Sequence, residues 1–246
     1  MKNYWERNIP MSFKDRSYKE KRDFRYGLQD YMHKVIRFGD YEGKRILEIG
    51  CGSGIDSVEF LRYEAEEVIS LDWTKSSVSM TKQLLKESHQ KGCVIQADAS
   101  HLPFNDNSFD VVYSFGVLHH IPDIEAVIKD IHRILRVDGI LLAMFYNRNS
   151  LLYSYSILNR GINEGLKPEE SILKYSERNK GVPFSKAYMK EELLALLSPY
   201  FQRVDITPCY NVIDLPDRRK IKFSLENGIN ELGWHLIVKA VGKNVI

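Results

Sequence analysis

Three carboxylates and three glycines between residues 48 and 98 carry the strongest chemical signal in the chain. The run Ile46-Leu-Glu-Ile-Gly-Cys-Gly-Ser-Gly54 sets glycines at 50, 52 and 54, with Cys51 inside the same turn. Glycines so placed permit a tight turn and let the backbone approach a ligand closely before a helix begins. A dinucleotide site sets its third glycine one residue later and rests a pyrophosphate on the helix N-terminus. Here the spacing is tighter, and Glu48 stands in the apolar run before the turn. A carboxylate there repels a phosphate, but it can hold the amino end of a cationic ligand, directly or through water. Asp72 closes a second apolar run, where it can accept hydrogen bonds from both ribose hydroxyls of a nucleoside. Trp73 beside it can lie against the ribose or adenine, or pack in the core. Asp98 closes a third run; its carboxylate can take the adenine amino group while the Ala99 N–H meets a ring nitrogen. Together these groups fit a nucleoside with a cationic tail better than a nicotinamide dinucleotide.

Those side chains need a scaffold, and the hydrophobic pattern supplies one. Apolar runs at 45–50, 68–72, 93–98, 109–114 and 139–145 read as strands. Between them, residues 55–62, 75–90 and 123–137 carry apolar positions at helical spacing, most clearly Ile124, Val127, Ile128, Ile131, Ile134 and Leu135. A further helix over 190–200 and strands at 204–207 and 235–241 complete the set. Strands alternating with helices predict an α/β fold, a mostly parallel seven-stranded sheet with helices on both faces. We divide the single domain 1–246 into an N-terminal helical cap (1–44), a core (45–146), a lid or acceptor insertion (147–190) and a C-terminal helix with strands (191–246). The cap holds eleven Lys/Arg against seven Asp/Glu, with one amphipathic helix expected between Tyr18 and Arg37 and its charges read as a solvated face. In the lid, Pro168 and Pro183 interrupt any long helix.

The order of these motifs resembles the class I S-adenosylmethionine-dependent methyltransferases. The signature runs from Glu48 and its glycines through Asp72 and Ala97-Asp-Ala99 to Leu102-Pro-Phe104 and Ser108-Phe-Asp-Val-Val112. The similarity is greatest to the small-molecule branch that includes ubiquinone/menaquinone methyltransferases, and it covers residues 45 to 146. It implies a Rossmann-like fold with S-adenosylmethionine as donor and S-adenosylhomocysteine as product. The donor would be held by Glu48, Gly50, Cys51, Gly52, Gly54, Asp72, Trp73, Asp98 and Ala99, with Ser114, Phe115 and Gly116 flanking its methionine part. His119 would point to the donor's edge or the acceptor, as a general base or as an acceptor contact. Val137-Asp-Gly139 departs from the Pro-Gly-Gly common before the fifth strand, which alters a turn only. A narrower likeness, to methyltransferases found among polysaccharide and secondary-metabolite genes, rests on Phe145–Ser150, Asn179–Pro183 and Gly233–Lys239.

For the acceptor pocket the candidates are Tyr4, His119, His120, Tyr146, Arg148 and Tyr153, with Tyr155, Tyr175 and Tyr188 adding to an aromatic and polar lid. Tyr4 and Trp5 are expected to fold over the donor. The expected reaction is O- or N-methylation of a small molecule, such as a sugar or secondary metabolite. The alternatives are a nucleic-acid methyltransferase, a binding module without turnover and a nicotinamide oxidoreductase. Ser114-Phe-Gly-Val117 stands where base-amino enzymes carry Asn/Asp-Pro-Pro-Tyr. A formal charge of +2 with no basic stripe also disfavours nucleic acid. His119, His120 and Asp123 together suggest a metal set, but methyl transfer needs none and no metal is expected. Three dispersed cysteines, no apolar run of membrane-spanning length and a polar N-terminus lead us to expect a cytoplasmic protein. Nothing in the pattern sets an oligomeric state.

Overall fold

The structure, a computed structural model, describes residues 1–9, 16–177, 181–210, 212–214, 220–222 and 229–244. Its central element is β1 (Arg45–Ile49), whose alternating side chains divide between two cores. Ile46 faces one apolar cluster, and Leu47 and Ile49 face the other. Around it lie β2 (Glu67–Asp72), β3 (Cys93–Gln96), β4 (Phe109–Phe115) and β5 (Leu135–Asn147), all parallel to β1. The two-residue β6 (Ala187–Tyr188) also pairs parallel with the end of β5. β7 (Phe201–Cys209) and β10 (His235–Lys243) close the sheet, with β10 antiparallel to both β5 and β7. The order β3-β2-β1-β4-β5-β10-β7 is a Rossmann-like sheet with one reversed strand. Counting β6, it has eight strands among the described residues where the sequence predicts seven. Separately, β8 (Val212–Asp214) and β9 (Lys220–Lys222) form a two-stranded hairpin.

Ahead of β1, α1 (Lys2–Arg7) precedes α2 (Tyr18–Leu28) and α3 (Met32–Val35). Ser17 starts α2 through a reciprocal cap with Glu20. The single helix expected over 18–37 is broken at Gln29. The break brings Tyr26, Met32, Ile36, Phe38 and Tyr41 into one core, which a straight helix would not do. The solvated basic face expected here also needs correction: Lys21 and Arg25 are buried, and Arg22 and Arg25 pair with the core domain.

α4 (Ile55–Arg62) and α5 (Lys75–Glu87) follow β1 and β2, and α6 (Ile124–Ile134) follows β4. Asp123 caps α6, and Val127, Ile128, Ile131 and Ile134 are fully buried on the face opposite the N-terminal elements. α6 ends three residues before the expected Val137, because β5 already begins at Leu135. The described residues of 147–190 form more regular structure than a loop. They hold a π-helical turn (Leu152–Leu158), α7 (Asn159–Asn163), α8 (Pro168–Tyr175, opened by its proline) and β6. Asn179 and Lys180, part of one motif noted above, lie outside the described residues. α9 (Lys190–Leu197) packs Leu193 and Leu197 into the second core.

Candidate functional site

A cavity of about 620 Å³ opens at the carboxyl ends of β1, β2 and β4, where open α/β sheets bind ligands. Its floor is the glycine turn. Gly50 takes φ +77°, and a Cβ there would lie 2.2 Å from the Val117 side chain, so only glycine fits. Gly52 takes φ +53° and faces open space; a Cβ on it would meet nothing within 4 Å. Gly54 caps α4 and touches Thr81 rather than the cavity.

The expected donor residues fall into two groups. Glu48, Gly50, Cys51, Gly52, Asp72, Trp73, Asp98, Ala99, Phe115 and Gly116 line the cavity. Gly54 and Ser114 do not; Ser114 is fully buried and donates its hydroxyl to the Ile49 carbonyl at 3.1 Å, tying β4 to β1. Asp72 accepts from the Gly52 N–H at 3.0 Å and from the Thr74 N–H and hydroxyl at 2.9 and 2.8 Å. Its carboxylate is therefore fixed relative to the glycine turn while it still lines the cavity. Asp98 is held by the Ser100 N–H at 2.9 Å.

Glu48 is buried at the base of the cavity and accepts a hydrogen bond from Ser57. Burial, followed by the nearby Asp56 charge, pushes its carboxyl up to about 8. Asp56 behaves oppositely. Burial works against its charge, yet Arg25 outweighs burial through its charge and two hydrogen bonds of 3.1 and 2.6 Å. Hydroxyls of Tyr26 and Tyr113 add bonds of 3.0 and 2.8 Å, so the Asp56 carboxyl stays below the usual range. Arg25 also lies over the Phe115 ring at 4.4 Å and lines the cavity. Glu59, one turn along α4, pairs with Arg22 at 2.7 Å and His33 at 2.8 Å.

Arg25 was missed at the sequence level. The available signal was a basic surplus before β1 facing acids at 56 and 59, one helical turn apart.

Over the rim, α1 brings Tyr4 and Trp5 to the cavity. Its Glu6 accepts from the Lys75 and Ser76 N–H groups at 2.8 and 3.1 Å, at the open N-terminus of α5. Tyr146 and His120 also line the cavity, joined by Trp234 and His235 of the Gly233–Lys239 motif and by Glu177, which carried no local signal.

Of the acceptor candidates, three are elsewhere. His119 is fully buried under Tyr146, ring centroids 3.8 Å apart, and does not line the cavity. Its ring nitrogens make no hydrogen bond of ordinary geometry among the described residues, the Met144 main chain being a weak neighbour. Burial, with His120 and His235 nearby, holds it neutral. A base or acceptor contact at 119 is thus not what this geometry offers; the histidine that reaches the cavity is its neighbour. Arg148 pairs with Glu192 at 3.0 Å, and Tyr153 is buried in a stack with Trp234.

Fold and rim together resemble those of the class I S-adenosylmethionine-dependent methyltransferases. Residues 47–143 match the family model described as a methyltransferase domain. Similar curated proteins include the ubiquinone/menaquinone biosynthesis C-methyltransferase of Haemophilus ducreyi, 32% identical over 49% of this chain and 50% of that one. The ubiquinone biosynthesis O-methyltransferase of Vibrio cholerae is 29% identical over 55% and 57%. The sterol 24-C-methyltransferase of Schizosaccharomyces pombe is 29% identical over 43% and 29%. The chain thus spans between 29% and 57% of the length of these relatives. Among solved structures, the PH0226 protein of Pyrococcus horikoshii superposes with a TM-score of 0.63 at 17% identity, covering 99% of this chain and all of that one. A methyltransferase of Methanosarcina mazei gives 0.61 at 19%, covering 86% and 97%. At these identities the structures speak for the fold alone.

Proposed function

We propose that the chain binds S-adenosylmethionine in this cavity and transfers its methyl group to a small-molecule acceptor, through oxygen or nitrogen. The observation that carries the reading is the pairing of Asp72 with the glycine turn: one carboxylate both shapes the Gly52 approach and faces the cavity. The residues fit such a donor. Asp72 takes the ribose hydroxyls, Asp98 and Ala99 the adenine edge, and Glu48 the ammonium of the amino-acid tail. Glu48 suits a cation because a positive charge in its pocket offsets the burial that otherwise keeps it protonated. Arg25, at the same wall, is placed for the tail's carboxylate. When bound, the donor supplies a sulfonium with a ready leaving group, so the protein's work is alignment and exclusion of water. Trp5 and Tyr4 on α1 close the rim for that purpose. A sugar or secondary metabolite is the acceptor class we favour; the relatives named above differ in whether carbon or oxygen is methylated. No helix among the described residues is long and apolar enough to cross a membrane, in keeping with a cytoplasmic site of action.

Calorimetric titration with S-adenosylmethionine, S-adenosylhomocysteine and NADH tests this. The first two should bind, and Asp72→Ala should weaken both by at least about tenfold, the scale of one or two charge-assisted hydrogen bonds. Binding of NADH alone would replace the reading with an oxidoreductase. Tight donor binding without turnover on any acceptor would make the chain a binding module.

A further inference from the structure

None of residues 1–9 is buried, yet Met1, Tyr4, Trp5, Asn8 and Ile9 all line the cavity. The segment is anchored at two points. Glu6 accepts from the Lys75 N–H at 2.8 Å, from the Ser76 N–H at 3.1 Å and from the Ser76 hydroxyl, at the first turn of α5. Trp5 lies against His120, ring centroids 4.8 Å apart, in the turn that follows β4. α5 follows β2, and β2 and β4 flank β1 in the sheet. α1 therefore spans the mouth of the cavity from one side of β1 to the other.

The forces on α1 are few and opposed. Glu6 is a carboxylate at the positive end of a helix, and it satisfies two N–H groups that have no partner within α5. The Ser76 hydroxyl, then the Lys75 N–H, holds its carboxyl below the ordinary value, so this anchor is charged at neutral pH. Against it stands the Tyr4 hydroxyl, which is buried with no hydrogen-bond partner among the described residues. Moving α1 away returns that hydroxyl to water. A segment with little buried apolar surface, one polar anchor and one unsatisfied hydroxyl belongs to the least stable part of a fold, from which gates are drawn. The anchor also touches the donor site. Thr74 starts α5 and gives its N–H and hydroxyl to Asp72, so the first turn of α5 carries Glu6 on one side and Asp72 on the other.

We propose that α1 is a gate over the donor cavity, latched by Glu6 on α5, and that it swings off for the donor to enter and for S-adenosylhomocysteine to leave. This rests on the donor reading above. Closed, Tyr4 and Trp5 keep water from the reacting groups. Open, the mouth between the ends of β2 and β4 is free. The latch is polar and lies at the surface, so it breaks and re-forms in each turnover, and donor exchange runs at the rate of opening.

The test is stopped-flow mixing of the full chain with S-adenosylhomocysteine. All three tryptophans, Trp5, Trp73 and Trp234, line the cavity, so their fluorescence follows its occupation. In the wild type the observed rate should level off at high S-adenosylhomocysteine concentration, at the rate of opening. Glu6→Ala should raise the association and the dissociation rate constants together, each by at least about fivefold, the scale of one net hydrogen bond. Because both rates rise, the equilibrium affinity should move by less than about threefold. Glu6→Gln keeps an acceptor oxygen without the charge and should fall between the two. Faster dissociation alone would make α1 a fixed wall, or Glu6 a prop for Asp72, and overturns the gate. Unchanged rates or slower association overturn it as well. Failure of S-adenosylhomocysteine to bind the wild type at equilibrium overturns the donor reading instead, so the two are told apart before any rate is measured.

Discussion

At the scale of residues, the site is built from charges whose surroundings were chosen by burial. Glu48, Asp56 and Asp72 crowd one end of β1 and β2, yet each carboxylate is treated differently. Arg25 and two tyrosine hydroxyls hold Asp56 charged, the glycine turn and Thr74 hold Asp72, and Glu48 has only Ser57 among the described residues. That leaves Glu48 as the carboxylate awaiting a positive ligand. Gly52 tests how closely the ligand's backbone contact matters. Ala at 52 meets no atom of the protein, so Gly52→Ala should cost only the left-handed backbone, roughly 1–2 kcal/mol of stability. Its methyl enters the space where the donor is proposed to lie, so S-adenosylhomocysteine affinity should fall by about tenfold or more in calorimetry. Unchanged affinity would move the donor away from the turn.

At the scale of elements, α2 is a brace as much as a cap. It reaches α4 through Arg25–Asp56 and Arg22–Glu59, and α4 begins directly after the glycine turn. Order in the turn is thereby coupled to docking of a segment that precedes it by some thirty residues. Arg25→Ala leaves Asp56 buried beside two tyrosines with its charge unmatched. Breaking such a pair should cost about 3–5 kcal/mol, read as a lower urea midpoint with unchanged slope. A loss below about 1 kcal/mol would mean that the pair is screened by water. α1 acts differently. It is fastened at Glu6 to the first turn of α5, which places Tyr4 and Trp5 over the same cavity from the opposite side.

At the scale of the whole molecule, buried titratable groups set a stability profile with two limbs. Glu48 is raised from 4.5 to about 8, chiefly by burial and then by Asp56. Between those values the folded chain keeps a proton that the unfolded chain releases, so this contribution is full below 4.5 and lost as pH rises through 8. Histidines 119, 120 and 235 are depressed by burial, His120 to about 4 and His235 to about 3. Below the ordinary value of 6.5 the unfolded chain binds protons that the folded one refuses, so stability falls as pH drops from there. Between 4.5 and 6.5 three histidines outweigh one glutamate; above 6.5 only Glu48 titrates among these groups. Urea midpoints should therefore peak near pH 6.5, and Glu48→Gln should flatten the alkaline limb alone. A profile that keeps rising to pH 8 would show that Glu48 is ionised in the folded chain.

The sequence by itself determined the sheet's core and the cavity's rim at the glycine turn. β1, β2 and β4 are mostly apolar runs, and the glycine turn, Asp72 and Asp98 sit at the ends of apolar runs, so period and local turn chemistry suffice to place them. Only the tertiary structure decided which residues face the cavity from elsewhere. Arg25 reads as a surface charge until α4 lies against it, because pairing across thirty residues leaves no periodic trace. His119 and His120 are adjacent in sequence, yet backbone direction after β4 buries one beneath Tyr146 and turns the other to the cavity. Glu177 and Trp234 come to it from chain segments distant from β4, brought together by the packing of the 147–190 region and β10. The eighth strand, β6, has two residues, too few to show an alternation, and exists because the end of β5 offers free main-chain groups to pair. Local chemistry is written in neighbours along the chain; a pocket wall assembled from distant segments depends on packing, which a single sequence does not display.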